Sequence, residues 1–143
     1  MTGPRIVARL LIAAPRTAED GVAVAALLAG YAPTALHRLD GVGAGEAERS
    51  VAAGLGLVVT PVEGSDPLQA IESVAMRTLG GCVAVLAAED AVPGLLVRAL
   101  GAPAEAAARL AVVPRAISVL ECDDERRWSV VRVNEGALAL PGA

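Results

Sequence analysis

The sequence contains no lysine and no phenylalanine, and just one tryptophan, one tyrosine and one histidine among its 143 residues. With Trp128 and Tyr31 as the whole aromatic supply, the core must be built from Ala, Val and Leu in thin layers. All 12 basic residues are arginine, a codon bias that suggests a GC-rich bacterial genome and carries no chemistry. Neither a basic stripe nor an arginine–aromatic interleave is present, and the formal net charge is −4, so nucleic acid is not an expected partner. Two isolated cysteines, Cys82 and Cys122, have no histidine close by, which excludes a zinc motif of the CxxC kind. Their expected state is buried and reduced, with a disulfide between them left open. The apolar run 10–14, after Arg5 and Arg9, is broken by Pro15 and is too short for a signal segment or a membrane span. A cytoplasmic protein with no membrane partner, no cofactor and no metal is expected.

What is present suits one domain spanning residues 1–143. Hydrophobic residues make up 55% and charged residues 20%, enough for a sizeable core and too apolar for disorder. Short apolar runs alternate with segments of helical period. Strands are expected at 6–14, 34–39, 57–60 and 82–88. Helices are expected at 17–28, 44–55, from Ser65 or Asp66 to Gly80, at 90–100 and at 103–110. Thr17 with Asp20 three residues on reads as a capping box, and Pro67 and Pro93 fit first helical turns, where a missing N–H costs little. Residues 116–122 and 128–134 read as an antiparallel hairpin with a charged turn, and the tail beyond as loose. This order predicts a three-layer α/β domain with a mostly parallel sheet and a C-terminal antiparallel hairpin. Ligands then belong beyond the carboxyl ends of the strands, at 14–17, 37–40 and 88–90.

Several segments resemble the histidine phosphatase superfamily, the phosphoglycerate mutase-like family. Val83-Ala-Val-Leu-Ala-Ala-Glu-Asp and Leu95-Leu-Val-Arg-Ala-Leu-Gly-Ala-Pro are similar to its second-histidine strand and following helix. Ala104-Glu-Ala-Ala-Ala-Arg-Leu, Pro114-Arg-Ala-Ile-Ser-Val-Leu-Glu and Trp128-Ser-Val-Val-Arg-Val-Asn resemble its closing helix and hairpin. Leu10-Leu-Ile-Ala-Ala-Pro-Arg-Thr lies where the family has a strand running into Arg-His-Gly-x-Thr. The resemblance implies the phosphoglycerate mutase-like fold and, because the family often forms dimers, a dimer. It also implies a degenerate site. Ala13, Ala14 and Pro15 stand at the Arg-His-Gly positions, Ala88 at the second histidine, and a residue near Gly43 at a second phosphate-binding arginine. Only Thr17 survives from the first motif. The family mechanism needs one imidazole to accept the phosphoryl group and a cationic cradle for its oxygens. A two-histidine site cannot be built from one histidine, so neither a phosphatase nor a mutase is expected by that mechanism. Between residues 57 and 65 there is no room for the family's usual helical insertion, which implies a shallow, open pocket.

Arg16, Thr17, His37, Glu89 and Asp90 remain as candidate ligand-binding residues. Glu89 and Asp90 read either as helix caps or as a carboxylate pair serving as general base or binding a cation. Arg16 pairs with one of them to seal the vacated site, or clamps an acidic ligand. His37, with Asp40 three residues on, reads as a solvated or locally hydrogen-bonded side chain or as an acid/base group. Trp128 reads as a core plug or an interface anchor, and the Ala-rich segment 103–110 as a flat surface suited to self-association. Two functions follow. One is a non-catalytic, pseudoenzyme-type protein that binds a partner protein or a small neutral or cationic ligand. The other is a divergent enzyme using His37, Glu89 or Asp90 as acid/base on a neutral organic substrate.

Overall fold

A computed structural model of the chain describes residues 5–39, 45–64, 66–78 and 80–136. The elements in order are β1 (Ile6–Ala13), α1 (Ala18–Ala29), β2 (Ala35–Leu39), α2 (Glu46–Leu55), β3 (Val59–Val62), α3 (Pro67–Arg77), β4 (Gly81–Leu86), α4 (Val92–Leu100), a 3₁₀ helix (Ala104–Arg109), β5 (Ile117–Asp123) and β6 (Trp128–Glu135). One sheet carries all six strands in the order β3-β2-β4-β1-β5-β6. The four strands from β3 to β1 run parallel, and β5 and β6 add antiparallel at the far side, as expected.

Local chemistry explains where the elements stop. The Thr17 hydroxyl accepts the Asp20 N–H at 3.0 Å while the Asp20 carboxylate accepts the Thr17 N–H, so the expected capping box opens α1. Asp66 caps α3 by accepting the Leu68 N–H, with Pro67 in the first turn; Ser65, the other candidate cap, lies outside the described residues. The third strand begins two residues later than the expected 57–60. Gly56, at φ +66°, turns the end of α2 left-handed, and the Leu57 N–H is drawn back to the Ala52 carbonyl at 3.1 Å. Similarly, α4 begins at Val92 instead of Asp90, because the Ala91 N–H closes a turn onto the Ala88 carbonyl. The expected helix at 103–110 is a 3₁₀ helix with no buried residue. Its Ala-rich sequence has no large apolar face to pack, and short helices depend on such packing.

The sheet has two apolar faces, set by strand alternation. Leu10, Ile12, Leu39, Val83, Val85 and Leu120 face α3 and α4, whereas Leu11, Leu36, Ala84, Leu86 and Val119 face α1 and α2. This gives the three expected layers. It also settles the cysteines: Cys122 packs on the α3 side and Cys82 on the α1 side, with β1 between their strands. Both are free thiols. Trp128 packs half-buried on the α3-side core, and its Nε1–H donates to Glu72 Oε1 of α3 at 3.2 Å. Helices α1 and α2 cross very closely: a Cβ added at Gly21 would meet the Ala47 carbonyl oxygen at 2.5 Å, and one at Gly54 would meet Ala25 Cβ at 2.6 Å. Among the described residues, no helix is long and apolar enough to cross a membrane.

Candidate functional site

The connection leaving β1 goes to α1 on one face of the sheet, and the connection leaving its neighbour β4 goes to α4 on the other face. Two adjacent parallel strands whose chains part in this way leave a crevice beyond their carboxyl ends. A cleft of about 260 Å³ occupies that place. Its floor and sides are Ala14 and Pro15 after β1 and Leu86, Ala87 and Ala88 at the end of β4; the first turn of α2 (Gly45, Glu46, Ala47, Glu48) forms the wall, and Arg16 and Glu89 stand at the rim.

Two ion pairs hold Glu89 and Glu48 of the lining, and the Asp20 carboxylate holds the backbone that carries Arg16. Arg16 Nε reaches Glu89 Oε2 at 3.3 Å, a rim pair with both side chains well exposed. Arg38 Nη1, from β2, donates to both carboxylate oxygens of Glu48 at 2.9 and 3.2 Å. Glu48 is nearly sealed from solvent, with a side chain 7% exposed. The backbone at Arg16 and Thr17 is held by Asp20, whose Oδ2 accepts both N–H groups at 3.0 and 3.1 Å and whose Oδ1 accepts Arg115 Nε–H at 2.8 Å. Burial alone would raise the Asp20 carboxyl above the ordinary value. The N–H groups of Arg16 and Thr17 and the Arg115 guanidinium outweigh it and hold the group below.

That balance gives a pH dependence with a definite sign. A carboxylate depressed in the folded state stabilises the protein above the unfolded carboxyl range and loses that contribution as pH falls through the folded value. Urea midpoints are therefore expected to drop below about pH 4. Asp20→Asn should cost about 1–3 kcal/mol near neutrality and flatten the acid limb. An acid limb unchanged in Asp20→Asn would refute the assignment.

The structure separates the candidate residues. Of the five, Arg16 and Glu89 line the cleft and form the expected pair. Thr17 is consumed by the α1 cap. Asp90 is exposed on the turn before α4 and lines a shallow depression with Glu89, Pro93, Leu110, Ala111 and Val112. Glu89 and Asp90 do not cap α4, whose N-cap is Ala91 with no side-chain bond. His37 alternates with Arg38 along β2, so it lies on the α3 side of the sheet while the α2 wall is on the other. Burial, and then the nearby Arg77 guanidinium, lower its pKa, and its Nδ1 is buried without a partner. His37, Glu89 and Asp90 therefore do not converge. Asp40 and Gly43 lie outside the described residues. Among the described residues, no group of three His, Cys, Asp or Glu is placed to hold a metal ion.

Sequence reasoning missed Arg38, Glu46, Glu48 and Arg115. A signal existed for Arg38, since an arginine inside a short apolar strand must find a carboxylate or a route to water. The partner is ten residues away and becomes visible only when α2 packs.

No protein-family model and no curated protein sequence matches the chain. Solved structures do. Mycobacterial hydrolase 1 superposes with a TM-score of 0.71 at 16% identity, covering 90% of this chain and 99% of its own. Phosphoglycerate mutase from Plasmodium falciparum gives 0.70 at 14%, covering 95% and 96%. Phosphoserine phosphatase from Entamoeba histolytica, in complex with 3-phosphoglyceric acid, gives 0.74 at 8%, covering 90% and 97%. At these identities the likeness carries the architecture alone: the chain has the phosphoglycerate mutase-like fold.

Proposed function

We propose that this protein is a non-catalytic, pseudoenzyme member of the phosphoglycerate mutase-like fold, which binds a small neutral or cationic ligand or a partner protein and performs no phosphoryl transfer. One observation carries this reading. The described ionisable lining of the strand-end cleft is Glu46, Glu48 and Glu89 against Arg16, with no imidazole. Similar structures are named for reactions on phosphate esters. Glu89 and Glu48 are each paired with an arginine, Arg16 and Arg38, and Glu46 forms no ion pair among the described residues, so the described lining offers a phosphate dianion no free cationic cradle. Alanine at positions 14 and 88 can neither attack phosphorus nor donate a proton to a leaving group.

The rival reading, a divergent enzyme, has less support. Of its three candidate groups His37 lies on the other face, Asp90 lies outside the cleft, and Glu89 lines it paired with Arg16. Purified protein is expected to show no turnover of p-nitrophenyl phosphate above buffer, and millimolar orthophosphate is expected to leave its melting temperature unchanged. Turnover that disappears in Glu89→Gln or His37→Ala would overturn the proposal. Native mass spectrometry of protein purified gently from its host then separates the two kinds of partner. A second chain at fixed stoichiometry supports protein binding, and a retained small molecule lost in Arg16→Ala supports ligand binding in the cleft.

A further inference from the structure

A second groove, of about 310 Å³, lies on the α3 face between that helix and the β5–β6 hairpin. Among the described residues it shares none with the strand-end cleft. Met76 and the buried Cys122 give it a soft apolar base, and Glu72, Arg77 and Arg126 supply its charge. Glu72, the carboxylate among the described lining residues, keeps its charge while its Oε1 accepts the Trp128 indole N–H. The two guanidiniums have no side-chain partner. Among the described residues neither Arg77 nor Arg126 forms an ion pair; Arg77 Nε donates only to the Ser73 carbonyl of its own helix, at 3.3 Å. Arg9, Arg16, Arg38, Arg98, Arg115, Arg127 and Arg132 have carboxylate partners, and of the arginines without one among the described residues only Arg77 and Arg126 line this groove.

Arg126 is also held where an arginine is unusual. The Asp123 carboxylate accepts the N–H groups of Glu125 and Arg127 at 2.9 and 2.8 Å, which rigidly closes the hairpin turn. Arg126 is thereby placed at φ +63°, a conformation that favours glycine. Ala32 and Asn134 share a positive φ, so what sets Arg126 apart is that it lines the groove without an ion pair among the described residues.

We propose that this groove is a binding site for a small organic carboxylate with an apolar tail. The tail lies against Met76, beneath which Cys122 is buried, and the carboxylate is held by Arg77 and Arg126. The charge-assisted N–H···O bonds set the sign of the ligand, and the volume falls at the small end of ligand sites. The proposal is independent of the strand-end cleft and of whether that cleft is catalytic.

The chain's only tryptophan reports on the site, since its indole N–H rests on a wall residue of the groove. Hexanoate titrated into the full-length protein is expected to change Trp128 emission saturably in the millimolar range. Hexylamine, with the same tail and the opposite charge, is expected to give no saturable change. Arg126→Gly removes the guanidinium while relieving the backbone, so that variant should fold normally and bind hexanoate about tenfold more weakly or worse. Arg77→Met should behave likewise, and Arg49→Ala, an exposed arginine on α2, should leave the affinity unchanged. Equal response to hexylamine, absence of a saturable hexanoate response, or hexanoate affinity unchanged in both Arg126→Gly and Arg77→Met would each overturn the proposal.

Discussion

Gly21→Val is expected to destabilise the protein by about 3 kcal/mol, read as a lower denaturant midpoint at unchanged slope. Gly21 lies in α1 where a Cβ would sit 2.5 Å from the Ala47 carbonyl oxygen and 2.7 Å from Ser50 Cβ. The first obstacle is backbone, so relief requires moving α2 and not merely turning a side chain. The intermediate variant decides between two effects of opposite sign. Gly21→Ala gains about 1 kcal/mol from helix propensity and loses about 1–3 kcal/mol from overpacking. A net loss is expected because the contact is shorter than real Cβ contacts allow. A Gly21→Ala protein more stable than the parent would show that the helices separate at little cost. Because Ala47 and its neighbours Glu46 and Glu48 form the cleft wall, the same substitution should weaken whatever binds there.

The second large effect is expected at Arg38. Arg38→Met keeps the aliphatic stem and removes the guanidinium, leaving the Glu48 carboxylate buried without its partner. One-sided breakage of a buried ion pair costs about 3–5 kcal/mol. The lower end applies here, because Arg38 is 28% exposed and the pair borders an open cleft. Glu48→Leu should cost less, since the arginine head can turn to water along its flexible stem. The double variant Arg38→Met/Glu48→Leu should recover most of the loss, as two apolar groups of similar volume replace the pair. Urea denaturation of the four proteins measures the coupling directly. A double variant no more stable than Arg38→Met would mean that the arginine supports the sheet through its stem alone.

The linear chain determined what depends on neighbours a few residues apart. The Thr17–Asp20 capping box, the Asp66 cap with Pro67 behind it, and the alternation of apolar strands with amphipathic helices are local, so their residues announce them. The absence of a second histidine was equally legible, because a count needs no geometry. Tertiary structure decided the rest. Whether Glu89 and Asp90 cap a helix depended on a turn closed by Ala91, and whether His37 meets them depended on strand parity: a one-residue step along β2 sends Arg38 to the α2 wall and His37 to the opposite face. The partnership of Arg38 with Glu48, the clasp of Arg115 on Asp20 and the groove between Arg77 and Arg126 join residues from 10 to 95 positions apart. Such pairs exist only once the sheet has set its register, since a charged side chain's partner is chosen by where packing brings it and not by its sequence neighbours.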